Sequence, residues 1–431
     1  MSGIVLVDAA GGKPRAVTLL DPARQEVAHR WPQWLPDGRH FLYSVISGND
    51  EHAGTFIASL DEPSGATRIT DAQDAAFVAP GYLVYVCDRV LLGQRFDIDS
   101  RAMTGTPVTL AGDVQAPVIT NSATLSASST GLLAFSGYHN RAQQLAWVRR
   151  GGELMRQVKM PADLYNPSLS IDERLLVAGT GREPWLIDLD RDAATRLGKG
   201  NTTAFSPDGL RLAYTSGPAG AGMNELYVRE AAGSADAQLL LGGHGNKIVT
   251  DWSRDGRYII YCSVNEKTQL DICAMPTATP AGGAPAPVSV LATPSNECQG
   301  RISPDGRLMA YTSDETSSSE VHVQPFSGTG GKRVVSIGGG AESQWRGDGR
   351  ELFYLAADGT LMSVGIGADD RANVPRPAAL FRIPLGAGEL NTRRNYYLAS
   401  ADGRRFLVNS ADQPRETLNI LVNWPALLGA L

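Results

Sequence analysis

One short phrase returns along this chain at intervals of about 50 residues, and it limits what the chain can fold into more than any other feature. Its fullest copy is Ser303-Pro304-Asp305-Gly306-Arg307-Leu308-Met309-Ala310-Tyr311. Ser206-Pro207-Asp208-Gly209 leads into Leu212-Ala213-Tyr214, and Ser253-Arg254-Asp255-Gly256 into Ile259-Ile260-Tyr261. Pro36-Asp37-Gly38-Arg39 and Gly347-Asp348-Gly349-Arg350 precede Phe41-Leu42-Tyr43 and Leu352-Phe353-Tyr354. Asp-Gly between apolar runs is a hairpin corner, because Gly accepts a positive φ and Asp can bond the backbone beyond it. In the run that follows, Leu308, Ala310 and Thr312 face one way, and Met309 and Tyr311 the other. Two apolar faces predict a strand packed between two neighbouring sheets.

Nine such units are legible. Their corners are Asp37-Gly38, Pro80-Gly81, Thr130-Gly131, Asp172-Glu173, Asp208-Gly209, Asp255-Gly256, Asp305-Gly306, Asp348-Gly349 and Asp402-Gly403. At about 48 residues apiece, each matches a four-stranded propeller blade with its loops. The expected fold is therefore all-β: one eight- or nine-bladed ring, or a six-bladed ring from about Gln144 onward with an incomplete ring before it. The domain reading is 1–431, with a subdivision at 1–143 and 144–431. In the ninth unit Tyr396–Leu398, Phe406–Val408 and Thr417–Val422 give three strands, while Arg15–Leu20 gives a fourth strand without a unit. Pairing these ends would close a ring and protect its edges. Pro276–Pro287 reads as a loop insertion before the strand Val288–Leu291, and Pro425–Leu431 as a short helix.

Charge and composition narrow the function classes. A net charge of −6 and a pI near 5.6 argue against nucleic acid as a partner. With 42% hydrophobic and 19% charged residues the chain reads as soluble and globular, with no run of membrane-spanning length and no direct membrane insertion. The first residues lack the features of a signal peptide, which places the protein in the cytoplasm if the start is genuine. Cys87, Cys262, Cys273 and Cys298 form no disulfide framework or metal pair by spacing and are expected as buried thiols, with Cys262 and Cys273 on consecutive strands.

The whole chain resembles TolB-type propeller repeats, relatives of the WD-repeat class. Longer stretches resemble the extracytoplasmic propeller region of bacterial transmembrane serine/threonine kinases. These are Trp31-Pro32-Gln33-Trp34 through Tyr43, Tyr82-Leu83-Val84-Tyr85 with Leu91 to Asp97, Val321-His322-Val323-Gln324-Pro325-Phe326, and Leu421-Val422-Asn423-Trp424. The resemblance implies a sensing or scaffolding part and a periplasmic or extracytoplasmic location. No glycine-rich nucleotide loop, His-Arg-Asp or Asp-Phe-Gly motif accompanies it, so no catalytic residue carries over.

Motifs for other chemistry fail on inspection. Gly-x-Ser-x-Gly and His-Glu-x-x-His are absent, and the six histidines are scattered. Asp188, Asp190 and Asp192 alternate like a calcium loop, but Ala193 stands where that loop needs Gly. Gly217, Gly220 and Gly222 have no following helix to make a phosphate cradle. Trp34, Trp252 and Trp345 share a repeat position and are expected between blades, as are the recurring Tyr43, Tyr85, Tyr214, Tyr261, Tyr311 and Tyr354. No cofactor and no metal are expected.

If the first strand of each unit lines a central channel, the polar residues on it can meet a ligand. They are His29, Arg30, Asn166, Asn201, Thr250, Asp251, Gln299, Arg301, Glu342 and Gln344. Both charges are present, which suits a protein, peptide or glycan ligand. The reading is a non-enzymatic, monomeric ligand-sensing or protein-interaction module. The alternatives are a propeller lyase or hydrolase with a channel-mouth active site, and an orphaned sensor fragment of a receptor kinase.

Overall fold

A computed structural model describes residues 3–49, 51–62, 65–112, 114, 125–128, 132–137, 143–161, 164–179, 183–217, 224–233, 237–243, 245–265, 267–278, 286–328, 330–367, 375–385, 395–411, 418–424 and 426. The corner Thr130-Gly131, the glycines at 220 and 222, the middle of the 276–287 insertion and most of the expected terminal helix lie outside them. The chain is all-β. Among the described residues it forms eight four-stranded antiparallel sheets, one three-stranded sheet and one two-stranded hairpin. It divides into two compact units. One comprises Met1–Asn140, Pro218–Gly222 and Pro414–Leu431; the other comprises Arg141–Gly217 and Met223–Gln413.

The Arg141–Gln413 unit is a closed six-bladed propeller. Blade I holds Tyr165–Leu169, Leu175–Gly179, Pro184–Asp188 and Ala193–Arg196, and blade II holds Thr203–Phe205, Arg211–Ser216, Glu225–Glu230 and Gln238–Leu241. Blade III holds Lys247–Trp252, Tyr258–Asn265, Gln269–Pro276 and Val288–Leu291, and blade IV holds Glu297–Ile302, Leu308–Ser313, Glu320–Pro325 and Arg333–Val334. Blade V holds Gly340–Trp345, Glu351–Ala356, Thr360–Gly365 and Ala378–Arg382. Blade VI is composite: Tyr397–Ala399 and Arg405–Ala411 come from the end of the unit, and Gln143–Arg149 and Leu154–Gln157 from its start. The ends pair from Gln143 against Ala411 to Arg149 against Arg405. The innermost strands touch in cyclic order, and blade VI returns to blade I.

An apolar cluster fills every interface of this ring. Val177, Phe205 and Leu212 join blades I and II, and Leu226, Trp252 and Ile259 join II and III. Ile260, Ile302 and Met309 join III and IV, and Leu308, Val323 and Leu352 join IV and V. Phe353, Tyr397 and Phe406 join V and VI, and Leu145, Leu176 and Leu398 join VI and I. Each fully buried side chain contributes roughly 1.5–3 kcal/mol relative to exposure. Met309 and Tyr311 pack toward blade III while Leu308 and Ala310 pack toward blade V, as the alternation within the repeat requires.

The repeat phrase is a hydrogen-bonding device. In blades I, II, III, IV and VI the serine hydroxyl (Ser170, Ser206, Ser253, Ser303, Ser400) donates to the aspartate two residues on, at 2.5–2.7 Å. The same oxygen accepts the backbone N–H five residues on, at 2.8–3.2 Å. These bonds hold Asp172, Asp208 and Asp402 below the usual carboxylate range. The residue after the aspartate is left-handed. Gly fills that place in blades II to VI, and Glu173 stands there at φ 59° in blade I. Blade V replaces the serine with Arg346, which grips Asp348 with two N–H groups at 2.7 and 2.8 Å.

In the other unit, Glu26–Trp34, His40–Ser47, Gly54–Ser59 and Thr67–Thr70 form one sheet, and Ala76–Val78, Tyr82–Cys87, Val90–Asp97 and Ala102–Ala111 a second. The third has Leu125–Ala127, Leu132–Ser136 and Leu418–Val422. Leu42, Phe77 and Leu83 pack between the first two, and Val84, Leu133 and Trp424 between the second and third.

Several expectations are corrected. Arg15–Ala16 pairs with Val5–Leu6 and does not close a ring; Gln143–Arg149 takes the place on Arg405–Ala411 that was expected for the terminal strand. Local strand propensity cannot choose among partners so far apart in sequence. Cys262 and Cys298 form a disulfide between blades III and IV, with Cα atoms 5.5 Å apart. Cys273 is a free thiol paired across the strands with Tyr261, and Cys87 is exposed. Trp34 is also exposed, whereas Trp252 is buried between blades. All six recurring tyrosines are buried.

Candidate functional site

The first strand of a blade does not run straight to its corner. In blades I, III, IV and V it carries one extra residue against its partner, with register breaks at 165/168, 249/251, 298/301 and 341/344. Such a bulge bends a strand and re-aims its side chains. Asn166, Gln299 and Glu342 occupy equivalent places in three of these bulges, all left-handed at φ 54–60°. That backbone is costly for a residue with a side chain, and here each side chain finds a bond across a blade boundary.

Those bonds run round the ring from blade II to blade I. Thr202 Oγ1 accepts from Val249 N–H at 3.0 Å, and Thr250 Oγ1 donates to the Gly300 carbonyl at 2.8 Å. Gln299 Oε1 accepts from Glu342 N–H at 2.9 Å, and Glu342 Oε2 from Tyr396 N–H at 2.6 Å. Asn166 Oδ1 accepts from Asn395 N–H at 3.0 Å. Asn166, Thr250 and Gln299, expected as ligand contacts, are therefore engaged as staples between blades. Glu342 is only half engaged: it is 1% exposed, and its Oε1 has no partner. Burial pushes its carboxyl up to about 8, against the pull of the Tyr396 N–H and the Arg301 charge.

Two residues before each corner serine, or its replacement Arg346, the six blades present Ser168, Ala204, Asp251, Arg301, Gln344 and Leu398. All six line one funnel of about 160 Å³. Asp251 and Arg301 stand 4.0 Å apart, each 19% exposed. Asp251 Oδ2 accepts from Ile302 N–H of the next blade at 2.8 Å, and burial raises its carboxyl above the usual range. The Arg301 guanidinium donates no hydrogen bond to a described residue, and its backbone carbonyl accepts from Trp345 Nε1 at 3.0 Å. Gln344 is 8% exposed and its Nε2 has no partner. Trp252, Trp345 and Arg254 complete the wall, with Glu173, whose carboxylate is held by Arg405 at 2.7 Å and by Ala401 N–H at 2.8 Å.

Of the ten residues offered from the sequence, Asp251, Arg301 and Gln344 line the funnel. Asn201 bonds the Thr215 carbonyl through its backbone and lies outside the lining. His29 and Arg30 belong to the other unit, where His29 is buried between Thr18 Oγ1 at 2.7 Å and Glu26 Oε2 at 3.1 Å, and burial lowers its pKa. Ser168, Ala204, Leu398 and Arg254 were not anticipated. Counting back two residues from each corner serine would have found the first three. Among the described residues no group of three or more His, Cys, Asp or Glu side chains could hold a metal ion, and no helix is long and apolar enough to cross a membrane.

The fold is a β-propeller. TolB propellers are among the solved structures it is similar to. One described as TolB of Agrobacterium tumefaciens shares 16% identity, with 63% of this chain and 99% of that one covered, at a TM-score of 0.49. TolB of Acinetobacter baumannii shares 14%, covering 69% and 82%, at 0.41. An oligogalacturonate lyase in complex with manganese shares 13%, covering 70% and 82%, at 0.42. No protein-family model and no curated protein matches the sequence. The expectation of a non-enzymatic chain is corrected. Similar structures include that lyase, so an absence of hydrolase or kinase motifs does not make a propeller a non-enzyme.

Proposed function

We propose that the Arg141–Gln413 unit is a recognition module that takes a protein or peptide segment into the axial funnel. The observation that carries this is the pair of donors where all six innermost strands converge: the Gln344 amide, which has no partner, and the Arg301 guanidinium, which makes no hydrogen bond to a described residue and faces only Asp251 at 4.0 Å. Buried polar groups are nearly always paired within a protein, so unpaired ones at a cavity point to a partner from outside. Ser168 lines the funnel and makes none of the bonds between blades described above, so Ser168→Trp fills the funnel. Peptide and glycan arrays probed with the full chain test the reading. Peptide binders that the Ser168→Trp chain no longer holds support it; arrays without a binder, or binders indifferent to that substitution, sink it.

Glu342, two residues from the lining residue Gln344 but not itself in the lining, favours a second reading, catalysis beside the funnel. A buried carboxyl raised to about 8 can give and take a proton near neutrality. Turnover of an arrayed compound that is lost in Glu342→Gln and Asp251→Asn would support this reading, and turnover unchanged in both would remove it.

A further inference from the structure

The Arg301 and Gln344 donors in the funnel share a sign. Arg301 offers N–H donors that make no hydrogen bond to a described residue, with Asp251 4.0 Å away as its ion-pair partner, and Gln344 offers an amide N–H₂ that has no partner. Glu342, two residues earlier on that strand, is buried outside the lining and adds no charge to it. The charges do not cancel. Arg254 and Arg301 both line the funnel, whereas Glu173 is already neutralised by Arg405, which leaves Asp251 alone against two guanidinium groups. Donors in excess and a surplus positive charge call for an anionic acceptor, and a planar guanidinium matches a carboxylate with two parallel bonds.

We propose that the funnel recognises the free C-terminal carboxylate of a peptide, with Arg301 as its fork and Gln344 as a further donor. This rests on the peptide-recognition reading above and narrows it to a chain end. Asp251 selects a peptide over a simple acid. Its Oδ1 faces Arg301 at 4.0 Å and accepts the N–H of the terminal residue, which lies a few bonds from that residue's carboxylate. Phe205, Trp252, Ile302 and Leu398 wall the remaining space. A funnel of about 160 Å³ admits a chain end and not a folded segment.

Trp252 and Trp345 in the wall supply the readout, since a ligand in the funnel changes their fluorescence. The probes are N-acetyl-Gly-Ala-Leu as the free acid, the same peptide as its C-terminal amide, and galacturonic acid, each titrated into the full chain. Saturable binding of the free acid is expected, with affinity about tenfold lower for the amide and about tenfold lower for the free acid on Arg301→Gln, the usual loss when a hydrogen bond to a charged group is removed. Arg254→Gln, an exposed change that leaves the fold alone, is expected to weaken the free acid about threefold and the amide not at all. Equal binding of acid and amide would overturn the chain-end proposal and leave peptide recognition standing. Galacturonic acid binding without peptide binding would overturn both, as would no response to any probe. An Arg301→Gln chain that melts with the parent and still discriminates acid from amide would also overturn the proposal.

Discussion

Replacing Glu342 with Gln should flatten part of the pH dependence of folding, by an amount the structure sets. Glu342 is buried at the V–VI boundary, with one oxygen on Tyr396 N–H and the other unpaired. Its carboxyl titrates near 4.5 when exposed and about 8 in the fold. The folded chain therefore holds the proton more tightly than the unfolded chain. The stability this provides is complete below about pH 4.5 and disappears as pH rises through about 8. At ~1.4 kcal/mol per pKa unit, the loss between pH 5 and pH 8 is on the order of 3 kcal/mol. Gln keeps an acceptor for the Tyr396 N–H and cannot ionise. Urea denaturation of parent and Glu342→Gln chains from pH 5 to 8.5 gives two curves, and their difference isolates this one group. The variant should gain on the parent by about 3 kcal/mol across that range. Parallel curves would refute the argument, because they would mean the carboxyl is hydrated or paired in solution.

Ser303→Ala removes a buried hydroxyl that donates to Asp305 and accepts Leu308 N–H at 2.9 Å, and should cost about 1–3 kcal/mol in chemical denaturation. Reducing the Cys262–Cys298 bond, which spans 36 residues, should lower stability by up to ~4 kcal/mol; an unchanged melt with and without reductant counts against the bond. At Gly347 a Cβ would lie 2.7 Å from the Ala401 carbonyl oxygen of the next blade. Gly347→Ala should therefore destabilise the ring by about 1–3 kcal/mol, read as a lower melting temperature, whereas Gly306→Ala meets open space and should cost only its left-handed backbone, roughly 1 kcal/mol.

Much of the blade was legible because its signals are local. Ser303, Asp305 and Gly306 form their corner from bonds spanning two to five residues, so any copy of the phrase makes the same turn. The alternation of Leu308 and Ala310 with Met309 and Tyr311 announced two apolar faces, and both found a neighbour. The site was less legible. Asn166, Gln299 and Glu342 read as polar residues near a channel, but a one-residue bulge decides whether a side chain meets the funnel or the next blade's backbone. Thr250 and Asp251 are both polar and adjacent in sequence, yet only Asp251 reaches the lining.

The sequence alone determined the unit of construction, its corners and which faces of each strand would be apolar, since these depend on backbone chemistry within a few residues. Only the tertiary structure decided how many units share a ring, which distant strand completes blade VI, that Cys262 meets Cys298, and that Arg301 and Gln344 converge on one funnel. Every blade carries nearly the same local code, so the code cannot number its copies. Closure depends on summing the small rotations between packed blades until the first meets the last, a quantity no single stretch of chain contains.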